Sequence, residues 1–145
     1  MKNKSTGNFE ELRPNIEIKI SKKVKGIHPV VKHIVNNLAE LDFLHFIRLS
    51  PEYLQASNKV TEGRIKNPIT KTNHPTAIGV DLILDITYKN IQFYEITSAI
   101  KGCGGEMVDA VLKALPEGWN GVVVMDWSNG FWHTMTEKHN NLYIL

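Results

Sequence analysis

Between Ile91 and Asp126 the chain runs through a strand-like segment, a glycine cluster, a helical period and a second apolar run, and this ordered unit constrains the fold more than any other feature. Ile91–Ser98 is rich in β-branched and aromatic residues, as a strand requires. Gly102-Cys103-Gly104-Gly105 interrupts it. From about Glu106 to Leu115 the residues Met107, Val108, Val111, Leu112 and Leu115 form one apolar stripe, with Glu106, Asp109 and Lys113 facing away. Pro116 and Gly118 end that helix. Val122-Val123-Val124-Met125 is short and wholly apolar, the signature of a strand buried on both faces.

The segments upstream supply the rest of a sheet. Ile16–Ile20 alternates apolar and polar residues with period two. Pro29 suits a first helical turn, and Val30, Val31, Ile34, Val35, Leu38 and Leu41 recur at helical spacing, which predicts a helix over roughly 29–42. Phe43–Leu49 fits either a continued helix or a short strand. A short helix is expected around Glu52–Ala56, then a long loop to residue 77 carrying Lys59, Arg64, Lys66 and Lys71. Ile78–Tyr88 alternates as a strand, with Val80, Leu82, Leu84, Ile86 and Tyr88 on one side and Asp81, Asp85 and Thr87 on the other. Lys89-Asn90 reads as a tight turn, a last helix is expected from Gly130 to about Lys138, and Leu142–Leu145 as a final strand. The prediction is one α/β (α+β) domain over 15–145, a mixed and mainly antiparallel sheet flanked by helices, preceded by a polar arm at 1–14.

Composition narrows the class. No apolar run reaches the roughly 18 residues of a membrane span, and the N-terminus has no apolar signal core, so no membrane association is expected. The single cysteine, Cys103, forbids an internal disulfide framework, and a cytoplasmic protein is the expectation. The net charge of +2 gives no reason to expect nucleic acid. Its distribution is uneven: residues 1–75 hold 13 Lys/Arg against 7 Asp/Glu, or +6, and residues 76–145 hold 4 against 8, or −4. That asymmetry fits either an anionic ligand near the N-terminal half or a solvated lysine-rich face.

Glycines heading a helix let a backbone approach a phosphate, and the free N–H groups there sit at the positive end of the helix dipole. Lys101–Glu106 is therefore a candidate phosphate clamp. It lacks the third glycine of the dinucleotide fingerprint and the lysine of a P-loop. Ala99-Ile100-Lys101-Gly102-Cys103-Gly104, followed by Met107-Val108, resembles the Q/R-x-x-G-x-G/A loop of the GNAT superfamily of N-acetyltransferases. The hairpin at 78–98 before it, the apolar strand after it, and the last helix opening at Ser128-Asn129-Gly130-Phe131-Trp132 follow the family's order. Ala99 departs from the family's Gln/Arg, and Trp132 stands where many members carry a tyrosine that protonates the departing thiolate.

What the resemblance implies is an acyl-CoA N-acyltransferase-like fold that moves an acetyl group from acetyl-CoA to a primary amine of a small molecule or protein. Ile96, Ser98, Ile100, Lys101, Gly102, Cys103, Gly104, Gly105, Glu106 and Trp132 would then hold the cofactor. Glu95 would deprotonate the amine, with His133 or Tyr143 supplying the acid that Trp132 cannot. Trp127, Phe131 and Trp132 fit either a pocket wall or the core, and Cys103 either a thiol activated by the helix or a small spacer. His28/His33 and His133/His139 lack i,i+4 metal spacing, so no metal is expected, and a homodimer is left open. Two other readings stand beside this one. Gly79-Val80-Asp81 and Glu95-Ile96-Thr97 resemble the Asp…Glu-x-Lys metal site of restriction-type nucleases, with Thr97 in place of the lysine and Lys101 four residues on. The third is an acyl-CoA-binding module without turnover.

Overall fold

A computed structural model describes residues 15–64, 66–126, 128 and 130–145; the arm expected at 1–14, and Trp127, lie outside the described residues. Among these, seven strands and three helices follow in the order β1 (Glu17–Ile20), α1 (Pro29–Ala39), β2 (Phe46–Leu49), β3 (Tyr53–Ser57), β4 (Ile78–Asp85), β5 (Asn90–Ser98), α2 (Cys103–Lys113), β6 (Asn120–Val123), α3 (Phe131–Lys138) and β7 (Leu142–Ile144). The strands form one mixed sheet in sequence order. It is antiparallel from β2 to β5 and parallel at both edges, where β1 joins β2 and β6 and β7 follow β5. The helix expected at Glu52–Ala56 is strand β3, because Leu54 and Ala56 enter the core while Tyr53 and Gln55 alternate away from it. The ambiguous apolar stretch before it resolves as β2.

All three helices lie on one face of the sheet. Pro29 opens α1, whose N-cap His28 accepts from the Val30 N–H through Nδ1 at 3.1 Å. Val30, Val31, Ile34, Val35 and Leu38 form its buried stripe. Asn37 Nδ2 donates to the Ala110 carbonyl at 2.9 Å, tying α1 to α2. Helix α2 buries Met107, Val108, Val111 and Leu112. Helix α3 buries Trp132 and Met135 and is held to α2 by His139 Nε2 at 2.6 Å from Asp109 Oδ1. No described helix is long and apolar enough to cross a membrane.

Residues 58–76 lie over the opposite face. Asn58 Oδ1 accepts from the Ile78 N–H at 2.8 Å, and Ile69 N–H donates to the Lys59 carbonyl at 2.9 Å. Gly79 admits this crossing: a Cβ there would stand 2.7 Å from the Ile69 oxygen and 2.7 Å from the Ala56 oxygen. Both obstacles are backbone, so neither can rotate aside. Gly79→Val should therefore lower the unfolding free energy by about 1–3 kcal/mol or more, read as a reduced urea midpoint at unchanged slope. A variant as stable as the parent would show that the loop does not sit on the sheet.

Candidate active site

Asp81 occupies the middle of β4, with Glu95 of β5 as its cross-strand partner on one side and Gln55 of β3 on the other. Gln55 faces Arg48 of β2, which faces Lys19 of β1, so one polar row crosses five strands on the helix-free face. A one-residue β-bulge creates the pairing. Asp81 faces Glu95 while Leu82 faces Phe93, leaving Tyr94 as the extra residue. Strict alternation would send positions 93 and 95 to the same side. The bulge lets Phe93 pack in the core, 5.1 Å from the Trp132 ring, while Glu95 turns to the open face.

The electrostatics at Asp81 are unusual. It is 9% exposed, and its Oδ1 has no hydrogen-bond partner. Burial foremost, and then the negative charge of Glu95, push its carboxyl from 3.8 up to about 6, while a Gln55 hydrogen bond and the Arg48 charge pull it down. Arg48 Nη1 donates to Gln55 Oε1 at 3.1 Å. With its oxygen so engaged, Gln55 presents its amide NH₂ to Asp81. Glu95 accepts through Oε2 from both Thr72 N–H (3.1 Å) and Thr72 Oγ1 (3.3 Å).

A cavity of about 480 Å³ opens beside Glu95, where β5 and β6 part company; Asp81 lies next to it without lining it. The two strands pair only over Asn90–Gln92 and Asn120–Val122, while β5 runs on to Ser98. Glu95 and Thr97 line the cavity, with Thr72 and His74 on the loop side and Gly104 and Trp132 on the helix side. His74 Nδ1 accepts from the N–H groups of Thr76 (3.1 Å) and Ala77 (3.0 Å). These bonds place the ring proton on Nε2, which makes His74 a donor there.

Among the residues singled out from the sequence, Glu95, Ile96, Ser98, Gly104 and Trp132 line the cavity. Ile100, Lys101, Gly102 and Glu106 are exposed and do not line it. Gly105 lies against Met135. Cys103 is buried in the first turn of α2, where burial, and then Glu106 and Asp42, push its thiol up. Both its burial and the direction of that shift disfavour a thiolate and favour the small-spacer reading. A Cβ added at Gly104 would touch the Phe131 ring at an ordinary contact distance of 3.5 Å, so Gly104 lines the cavity beside that ring. His133 is exposed on α3, and Tyr143 is exposed on β7 opposite Val122; neither joins Glu95. Arg48, Gln55, Thr72 and His74 escaped the sequence reading. Only the alternation Tyr53-Leu54-Gln55-Ala56 could have pointed to Gln55.

Asp81 and Glu95 together suit a hard divalent cation such as Mg²⁺ or Mn²⁺: two carboxylates, one with an unpartnered buried oxygen, and the Thr97 side chain beside them. No group of three or more His, Cys, Asp or Glu gathers among the described residues, so such an ion would keep several waters.

The raised carboxyl has a pH consequence whose sign is fixed. Folded Asp81 binds its proton more tightly than the unfolded chain does, so its contribution to stability is fully present below about 3.8 and is lost as pH rises to about 6. In metal-free buffer, Asp81→Asn should remove that decline, gaining stability relative to the parent at pH 7 but not at pH 4. Parallel melting curves for the two proteins at both pH values check this. An equal offset at each pH would show that Asp81 titrates normally.

Comparisons of the chain with protein-family models, with characterised proteins and with solved structures find no match.

Proposed function

We propose that Asp81 and Glu95 hold a divalent metal ion and that the protein is a metal-dependent phosphodiesterase of the restriction-nuclease type. The observation that carries this reading is the buried Asp81 carboxylate with Oδ1 unpartnered, set directly across from a second carboxylate. Two adjacent acids on a sheet repel each other, and a buried charge without a partner is costly. A bound cation removes both costs at once. When bound, such an ion polarises a phosphoryl oxygen and lowers the pKa of water. The protein's own part is positional: Gln55, backed by Arg48, orients Asp81, and Thr72 orients Glu95. His74 Nε2–H is the neutral donor on the cavity wall for a phosphate oxygen. Thr97 stands where the nuclease pattern has lysine and brings no charge, and Lys101 does not line the cavity.

Acetyl transfer from acetyl-CoA to an amine is the second reading. The bulge at Tyr94 and the parting of β5 from β6 favour it, since they open a cavity toward Gly104 and Trp132 at the head of α2. In that case Glu95 is the general base and the pantetheine arm lies between the parted strands. Against it, Ile100, Lys101, Gly102 and Glu106 of the loop do not line the cavity.

One titration separates the two. Mn²⁺ should bind in a calorimeter and raise the melting temperature by mass action, and Asp81→Asn should abolish both effects in a folded protein. Acetyl-CoA should do neither. Stabilisation by acetyl-CoA without any response to Mn²⁺ would overturn the phosphodiesterase reading. In that event Glu95→Gln should cut acetyl transfer roughly 10²–10⁴-fold without weakening CoA binding.

A further inference from the structure

We infer that the helix-free face of the sheet is a platform for single-stranded nucleic acid, laid across the strands with its bases on exposed tyrosines. The inference takes its direction from the phosphodiesterase reading, because it names the substrate of that site. Three of the four tyrosines stand on this face. Tyr53 is 47% exposed, Tyr94 59% and Tyr143 50%, whereas tyrosines commonly bury most of the ring. Cross-strand pairing places Tyr53, Ile83, Gln92, Val122 and Tyr143 in one continuous row. The two end tyrosines are four strand spacings apart, roughly 19 Å. Tyr94 rises from the same face at the bulge, between that row and the Asp81–Glu95 pair, and lines a second cavity with Gln92 and Glu95.

Charge complements the aromatics. The segment that covers part of this face carries Lys59, Arg64, Lys66 and Lys71, all exposed, against the single acid Glu62. No ion pair among the described residues engages those four cations. The same segment reaches the site through Thr72 and His74. Exposed aromatic faces beside unpaired cations are what an unpaired polynucleotide binds, since each base offers a face for stacking and each phosphate a negative charge. A duplex keeps its base faces stacked internally and cannot use the tyrosines.

The test is fluorescence anisotropy in EDTA, with a labelled 20-residue oligothymidylate and a mixed-sequence 20-base-pair duplex as probes. The single strand should bind at least tenfold more tightly than the duplex. The combined variant Tyr53→Ala, Tyr94→Ala and Tyr143→Ala should lose at least tenfold, and the corresponding phenylalanine variant should retain affinity because its rings still stack. Duplex binding as tight as single-strand binding, or unchanged affinity in the alanine variant, would overturn the inference. Because binding is read without metal, this outcome is independent of the Mn²⁺ titration: loss of the Mn²⁺ response removes the phosphodiesterase reading and leaves this result standing or falling on its own.

Discussion

The protein holds a carboxylate in the middle of its sheet, and much of the surrounding structure is explained by what that costs. Asp81 sits between the core residues Val80 and Leu82, which reach 0% exposure on the helix side. Its own side chain points to the other face, where it is nonetheless covered. Desolvation disfavours the charged form of such a group and is the largest cause of its raised pKa. The row behind it counters this: Arg48 fixes the Gln55 amide, and that amide donates to Asp81. Only one of the two carboxylate oxygens is satisfied this way. A structural aspartate would be expected to use both, since an orphaned buried acceptor is destabilising. The Asp81 Oδ1 is left as a buried acceptor without a partner among the described residues.

The bulge at Tyr94 is what makes this compatible with a stable core. It lets β5 serve two faces in succession, first burying Ile91 and Phe93 under α2 and α3, then presenting Glu95 and Thr97 to the open side. Past the bulge β6 no longer follows, and the exposed flank of β5 becomes a cavity wall. Bulges commonly re-aim side chains beside functional sites in this way. Helix α3, clamped to α2 through Asp109, closes the cavity from the helix side with Trp132.

Much of the fold was legible because its helices and long strands carry strong periodicity. The stripes Val30–Leu38 and Met107–Leu112, and the alternation in Ile78–Asp85, reflect burial on one face that nothing else in the chain overrides. Strand β3 was not legible. Five residues long and preceded by Pro51-Glu52, Tyr53–Ser57 fits helical and extended periods alike, and the decision comes from pairing on both sides with β2 and β4. The site divided along the same line. Asp81 and Glu95 could be found because they interrupt apolar strands. Gln55, Arg48, Thr72 and His74 could not, because they meet only through cross-strand register and a folded-over loop, which no local pattern encodes. The glycine cluster drew attention to the head of α2, and of its glycines Gly104 lines the cavity while Gly102 does not.

The surroundings of Thr97 are set by the loop that crosses Gly79. Thr97 is 4% exposed and pairs with Gly79, over which the Ile69 carbonyl passes at a distance that excludes even a methyl group. A charged side chain at a position this buried would be desolvated. The loop also brings His74 to the cavity wall, its Nδ1 accepting from two backbone N–H groups, and carries exposed cations that form no ion pair among the described residues. The orientation of the His74 ring and the long-range charge of the loop thus have separate sources. The first depends on the Thr76 and Ala77 amides and is insensitive to salt. The second depends on Lys59, Arg64, Lys66 and Lys71 and weakens as ionic strength rises.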